Sequence, residues 1–144
     1  MSENKEFRIV ESTSGIDWTN VSELFELVGW GKRNPVDVAN SFSKSSHVCF
    51  IMDTARVVAT GRTVDDGMYY GLIVDVLVNP SYQQLGLGRQ IVDHLREKMK
   101  NYNFVTLTAA PGKGPFYEKL GWKKQTSAFL WPRDEKQQEE HCKG

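Results

Sequence analysis

The spacing of apolar positions divides the chain into short alternating runs and longer helical ones. "EFRIVE" alternates and predicts a first strand. Residues 17–29, "DWTNVSELFELVG", carry Trp18, Val21, Leu24, Phe25 and Val28 at helical spacing. Thr13 or Ser14 is the expected cap of this helix. Gly29 and Gly31 flank Trp30 and end it. A second short helix is expected after Asn34, with Pro35 at its first position. "HVCFIM", "ARVVATGRTV" and "MYYGLIVDVLV" then read as three strands of an antiparallel meander, joined at "DT" and "DDG". Residues 86–101 place Leu87, Ile91, Val92, Leu95 and Met99 on one helical stripe. "FVTLTA" predicts a fifth strand, "GPFYEKLG" a short helix ended by Gly121, and "WKKQTSAFLW" a last strand. The resulting order is β-α-α-β-β-β-α-β-α-β. This predicts one mixed α/β (α+β) domain over residues 1–132, with a mostly antiparallel sheet flanked by helices. Residues 133–144 are expected to form a frayed polar tail.

Composition narrows the picture modestly. A chain of 144 residues is long enough for a core without disulfide or metal support. Basic and acidic residues balance at 18 each, so a large nucleic-acid-binding face is not implied. Cys49 and Cys142 are far apart and read as free thiols of a reducing compartment. "MSENKEF" lacks the apolar core of a signal peptide, and no apolar run reaches about 18 residues. The expectation is a cytoplasmic protein without a membrane span. His47, His94 and His141 form neither a metal nor a triad pattern, so no metal is expected.

The stretch "QQLGLGRQ" presents a chemical question. A helix begins at Gly86 with no acidic group in its opening turn. Helix N-termini carry unpaired N–H groups and about half a positive charge, and glycine admits an anion close to the backbone. Arg89 adds a cation. A Walker A loop is excluded, because Gly112-Lys113 is followed by Gly114 and Leu107 stands in the first glycine's place. A dinucleotide fingerprint fits poorly, because Ile91 stands in the third glycine's place and the preceding strand is reached by hairpins. A plain glycine-rich turn remains the alternative to an anion site.

Gln83-Gln84-Leu85-Gly86-Leu87-Gly88 resembles the [Q/R]-x-x-G-x-[G/A] signature of the GNAT superfamily of N-acetyltransferases. "VDVLVNPSY" before it, an amphipathic helix after it and "PFYEKLGW" downstream extend the resemblance over about residues 45–125. The resemblance implies acetyl-coenzyme A as cosubstrate. Gln83, Gln84, Leu85, Gly86, Leu87, Gly88 and Arg89 would form its pyrophosphate loop. Leu77 and Val78 would lie along the pantetheine arm, on a strand whose backbone is partly unpaired. Tyr117, in "PFYEKLGW", matches the family's general acid and would also meet the cofactor. Its phenol, with an ordinary pKa of about 10, holds its proton at neutral pH. Packing beside Phe116 is the other reading of Tyr117.

The chemistry also needs a neutral amine. An alkylammonium costs roughly 4 kcal/mol to neutralise at pH 7. Asp75 is a lone carboxylate in the apolar "GLIVDVLV", which is costly unless it is paired, hydrated or functional. Alternation would place it on one face with Ile73 and Leu77. It is a candidate base or amine anchor; a salt bridge or a solvent-facing position is the alternative.

The segment "LFELVGWGKRNPVDVANSFSKSSHV" is similar to that of serotonin N-acetyltransferase-like (arylalkylamine) family members of plants, cyanobacteria and bacteria. This implies a small primary amine, with Trp30, Phe25, Tyr82 and Asp75 as candidate substrate contacts. Trp30 packing its own turn is the competing reading. A protein or peptide acetyltransferase and a non-catalytic acyl-CoA-binding module are the alternative functions. Dimers are common in the family, so the resemblance also implies a homodimer.

Overall fold

A computed structural model describes residues 6–142. The described residues divide along the chain into two compact units, the first ending at Leu107 and the second starting at Thr108. Each is taken by itself.

The first unit is a five-stranded sheet in sequential order, β1 to β5. It runs β1 (Phe7–Val10), α1 (Trp18–Leu27), α2 (Pro35–Ser43), β2 (Val48–Asp53), β3 (Arg56–Asp65), β4 (Tyr70–Val78), α3 (Leu87–Lys98) and β5 (Phe104–Leu107). β2, β3 and β4 are antiparallel neighbours, as the hairpin signals predict, and β1 adds antiparallel to β2. β5 returns through α3 to lie parallel to β4, the connection that a helical crossover permits.

Local chemistry explains the helix boundaries. Asp17, rather than Thr13 or Ser14, caps α1: its Oδ1 accepts from the Thr19 and Asn20 amides at 3.1 and 3.3 Å. Asp17 stands immediately before the first helical residue, which is where a side chain can reach those amides. Asn34 caps α2, accepting from the Val36 amide at 2.8 Å, with Pro35 at the first helical position. Gly29 and Gly31, at φ of +88° and +89°, turn the chain between the two helices.

The two faces of the sheet are buried differently. Val21, Leu24 and Phe25 of α1 and Val38 and Phe42 of α2 pack on Phe50, Met52, Val57 and Leu77. The opposite face receives α3, whose stripe Leu87, Ile91, Val92, Leu95 and Met99 is buried as its spacing predicts. Two glycines let α3 approach. A Cβ at Gly61 would lie 2.4 Å from Ile91 Cγ2, and one at Gly71 would lie 2.2 Å from Met99 Sδ.

The second unit begins with α4 (Gly114–Lys119), closed by Gly121 at φ +97°. It ends with α5 (Glu135–His141), capped by Asp134 through the Gln137 amide at 2.8 Å. Two expectations are corrected here. The tail is helical over Glu135–His141 because Asp134 supplies a cap. Residues 122–131 form no strand. A turn at Thr126-Ser127 splits the run, and Phe129 and Trp131 are almost fully exposed. A strand is stabilised only by a ladder partner, and this segment has none among the described residues.

Candidate active site

β4 carries the feature from which the site is built. Its ladder with β3 runs from Gly71 to Val78, pairing Asp65 with Gly71, Thr63 with Ile73 and Arg62 with Val74. The next paired residues are Thr60 and Leu77. Gly61 therefore faces both Asp75 and Val76, which is a β-bulge. Asp75 sits in it at φ +55°, a left-handed conformation that costs a non-glycine residue about 1–2 kcal/mol.

The bulge reverses the phase of the strand. Directly opposed residues share a face. Ile73 goes with Thr63, whereas Val74 and Leu77 go with Arg62 and Thr60 on the opposite side. The expectation that Asp75, Ile73 and Leu77 share one face is thus corrected, because alternation does not survive an extra residue. The Asp75 carboxylate turns toward Arg62, on the side covered by α1 and α2.

There Asp75 is paired. Its Oδ2 accepts from Arg62 Nε at 2.8 Å, and its Oδ1 lies 3.8 Å from Arg33 Nη1. Arg62 is committed several times over. Its Nη1 also donates to Ser41 O at 3.4 Å and to Ser45 Oγ at 3.3 Å, and its guanidinium lies 5.6 Å from the Phe42 ring centre. Arg33 stacks 4.1 Å above the ring centre of Phe25. The structure thus realises the salt-bridged alternative for Asp75, with both oxygens facing cations. Asp75→Ala is expected to lower stability by about 2 kcal/mol, because Arg62 is left largely buried without its counter-charge. Urea unfolding checks this; a midpoint equal to that of the unsubstituted chain counts against the pairing.

The opposite edge of β4 opens at the same level. β5 pairs with β4 only from Tyr70 to Ile73, ending at Leu107. Beyond Ile73 that edge of β4 has no ladder partner among the described residues, so the backbone of Val74–Val78 is available on that side. Leu77 is buried, Val78 partly so.

The strand leads directly into the glycine loop. Asn79 is buried and accepts from the Ser81 amide at 2.9 Å, which fixes a 3-10 turn over Pro80–Tyr82. Gln84 and Gly86 are left-handed, at φ of +66° and +79°. Gly86 occupies the cap position of α3, with no side-chain cap and no acidic residue in the first turn. Nothing lies within 4 Å of where its Cβ would stand. The amides of Leu87, Gly88 and Arg89 open α3, where no intrahelical acceptor exists. Gln83, Gln84, Leu85 and Gly86 are exposed around them. Leu87 offers only its amide, because its side chain is in the core. Arg89 pairs loosely with Asp93 at 3.5 Å and remains exposed. An uncapped helix mouth with open space over a glycine fits a phosphate group.

The remaining candidates fall in different surroundings. Tyr82 is nearly buried; its hydroxyl donates to Asp53 Oδ2 at 2.6 Å and its ring meets Phe7 edge-on at 6.1 Å. It braces the base of the loop. That bond, with burial, raises the phenol above its ordinary range. Phe25 is fully buried with Arg33 over its face, so the expectation that it walls a substrate is corrected: its ring is unavailable to a solute. Trp30 is 42 % exposed, 6.0 Å from Phe25 between ring centres, and free to present its outer face. Tyr117 lies in α4 of the second unit, against Phe116 at 5.0 Å between ring centres. Burial raises its phenol above the ordinary value, which keeps it protonated at neutral pH.

Arg33 and Arg62 were not among the expected site residues. For Arg62 the sequence carries half a signal: a carboxylate inside an apolar strand calls for a cation, but an unbroken register from the "DDG" turn sets Gly61 opposite Asp75, and only the bulge turns the carboxylate to Arg62. Arg33 closes the turn "VGWGKR" of the segment that resembles the serotonin N-acetyltransferase-like members, but nothing in that turn shows that it reaches Asp75 from the connection between α1 and α2.

Among the described residues, no helix is long and apolar enough to cross a membrane, and no group of three or more His, Cys, Asp or Glu is placed to hold a metal. The family model described as "Acetyltransferase (GNAT) domain" matches residues 30–130. Serotonin N-acetyltransferase 2, chloroplastic, of Oryza sativa subsp. japonica is 31 % identical over 130 residues, covering 85 % of this chain. GCN5-related N-acetyltransferase 1, chloroplastic, of Arabidopsis thaliana is 27 % identical over 124 residues, covering 83 %. The chain spans 64 % and 63 % of those two proteins' lengths, just under two thirds. Among solved structures, a GNAT-family acetyltransferase of Streptococcus pneumoniae superposes with a TM-score of 0.73 at 23 % identity, over 90 % of this chain and all of that one. This likeness shows the fold. With the bulged, half-unpaired β4 leading into the glycine loop and the family match over residues 30–130, the chain belongs to the GNAT acetyltransferase family.

Proposed function

We propose that the chain is an acetyl-CoA-dependent N-acetyltransferase that moves an acetyl group to a small primary amine by direct attack in a ternary complex. The observation that carries this reading is the parting of β4 from β5 after Ile73, immediately before the uncapped loop at Gly86. Bound acetyl-CoA would supply an acyl thioester already activated for attack. The amides of Leu87, Gly88 and Arg89 would hold phosphate, with Gly86 leaving room for it. Backbone groups of Leu77 and Val78 would align the acyl arm, and an N–H there is suited to an oxyanion. Tyr117 retains a proton to donate to a departing thiolate, a role that rests on its place in "PFYEKLGW". Trp30 offers an aromatic surface to the acceptor.

The test is release of coenzyme A thiol from acetyl-CoA, screened against arylalkylamines, polyamines, amino acids and peptides, beside thermal melting. Acetyl-CoA is expected to raise the melting temperature, and at least one small amine is expected to release thiol. Melting unmoved by acetyl-CoA sinks the cofactor assignment. Turnover with peptides alone moves the assignment to a protein acetyltransferase.

A further inference from the structure

The ion pair at the bulge has a charge imbalance. Two guanidinium groups, Arg62 and Arg33, face one carboxylate within ion-pairing distance, Asp75; the further charges Asp37, Asp65 and Lys44 line a cavity with Arg62 and not with Arg33. Among the described residues neither arginine is paired with another carboxylate. The two arginines are not equivalent. Arg62 is 16 % exposed and held at four points. Arg33 is 43 % exposed and only 3.8 Å from the carboxylate it shares. The surplus charge that a solute meets is therefore that of Arg33.

Arg33 is also positioned in advance. Its guanidinium rests on the Phe25 ring, and the Ser22 hydroxyl donates to its backbone carbonyl, pinning the loop beneath it. Phe25 in turn is buried, and its carbonyl accepts from the Trp30 amide at 2.9 Å. A stacked guanidinium keeps its planar fork of donors for one orientation and loses little rotamer freedom on binding. It stands beside the segment of β4 whose other edge is unpaired.

Such a group disfavours an ammonium and favours an anion. A bare arylalkylamine would bring its own positive charge to a surplus cation, with only a shared carboxylate to meet it. An acceptor with an anionic group close to its amine would place that group on the guanidinium. The neutral form of the amine, which is the nucleophile, is favoured beside a cation. We propose that Arg33 selects the acceptor, and that the acceptor is a small amine carrying an anionic group, a carboxylate or a phosphate, next to the nitrogen. The proposal rests on the N-acetyltransferase reading and names the substrate class within it.

The experiment uses matched pairs: tryptamine with tryptophan, phenethylamine with phenylalanine, and ethanolamine with O-phosphoethanolamine. Affinity for each is measured calorimetrically with coenzyme A present, and thiol release is followed for those that turn over. The anionic member of at least one pair is expected to bind about tenfold or more tightly than its neutral-tailed partner. The first two pairs against the third distinguish carboxylate from phosphate. Arg33→Gln is expected to erase the difference within the pair, and Arg33→Lys to restore part of it. The backbone pin from Ser22 is retained in both variants. Equal or reversed affinities within every pair, or a preference undiminished in Arg33→Gln, overturn the proposal. These outcomes are independent of whether acetyl-CoA stabilises the chain, which tests the cofactor reading alone.

Discussion

Gly86→Trp is expected to abolish the thermal stabilisation expected from acetyl-CoA. Gly86 combines a left-handed backbone with free space where its Cβ would stand. An indole there projects from the mouth of α3 and blocks approach to the Leu87, Gly88 and Arg89 amides. A ligand at one hundred times its dissociation constant stabilises by about 2.7 kcal/mol, which for a chain of this size is a shift of roughly 5–10 °C. The whole shift is expected to vanish in the variant. Gly86→Ala separates the two effects of the substitution. It carries the backbone strain, about 1–2 kcal/mol, but adds little bulk, so it melts earlier yet still responds to acetyl-CoA. A Trp variant with the full response removes the loop from the cofactor assignment.

Tyr117→Phe is expected to lower turnover by about a hundredfold, the lower end of what a general acid contributes, and to leave the acetyl-CoA melting shift in place. The substitution removes one hydroxyl and keeps the ring against Phe116. Because burial raises the phenol above its ordinary value, the acid form persists through neutral and mildly alkaline pH. Loss of this proton therefore does not limit the rate between about pH 7 and 9. Full activity in Tyr117→Phe ends the acid assignment. A loss of the melting shift in the same variant would mean that Tyr117 acts through binding.

Local signals and tertiary contacts carry different weight along the chain. Helices α1, α2 and α3 were legible because their signals are local: the apolar spacing, Pro35 after Asn34, and glycines at the ends. The loop at Gly86 was legible for the same reason. The cap of α1 was misplaced by a few residues, since Thr13, Ser14 and Asp17 all have capping side chains and only the final chain path selects one. "WKKQTSAFLW" has a strand's composition, but strand formation depends on a neighbour that composition does not specify.

The site divides along the same line. The amino-acid order by itself determined the hairpin order, the crossover helix, the glycine mouth of α3 and the motif that carries Tyr117. Each depends on residues within a turn or two of one another. Tertiary structure alone decided the bulge at Asp75 and Val76, the reversal of face between Ile73 and Leu77, and the opening of β4 beyond Ile73. It also decided that Arg33 and Arg62 meet Asp75. A register shift belongs to two strands together, and an ion pair to side chains brought together from separate elements. Neither is encoded in the periodicity of any single segment.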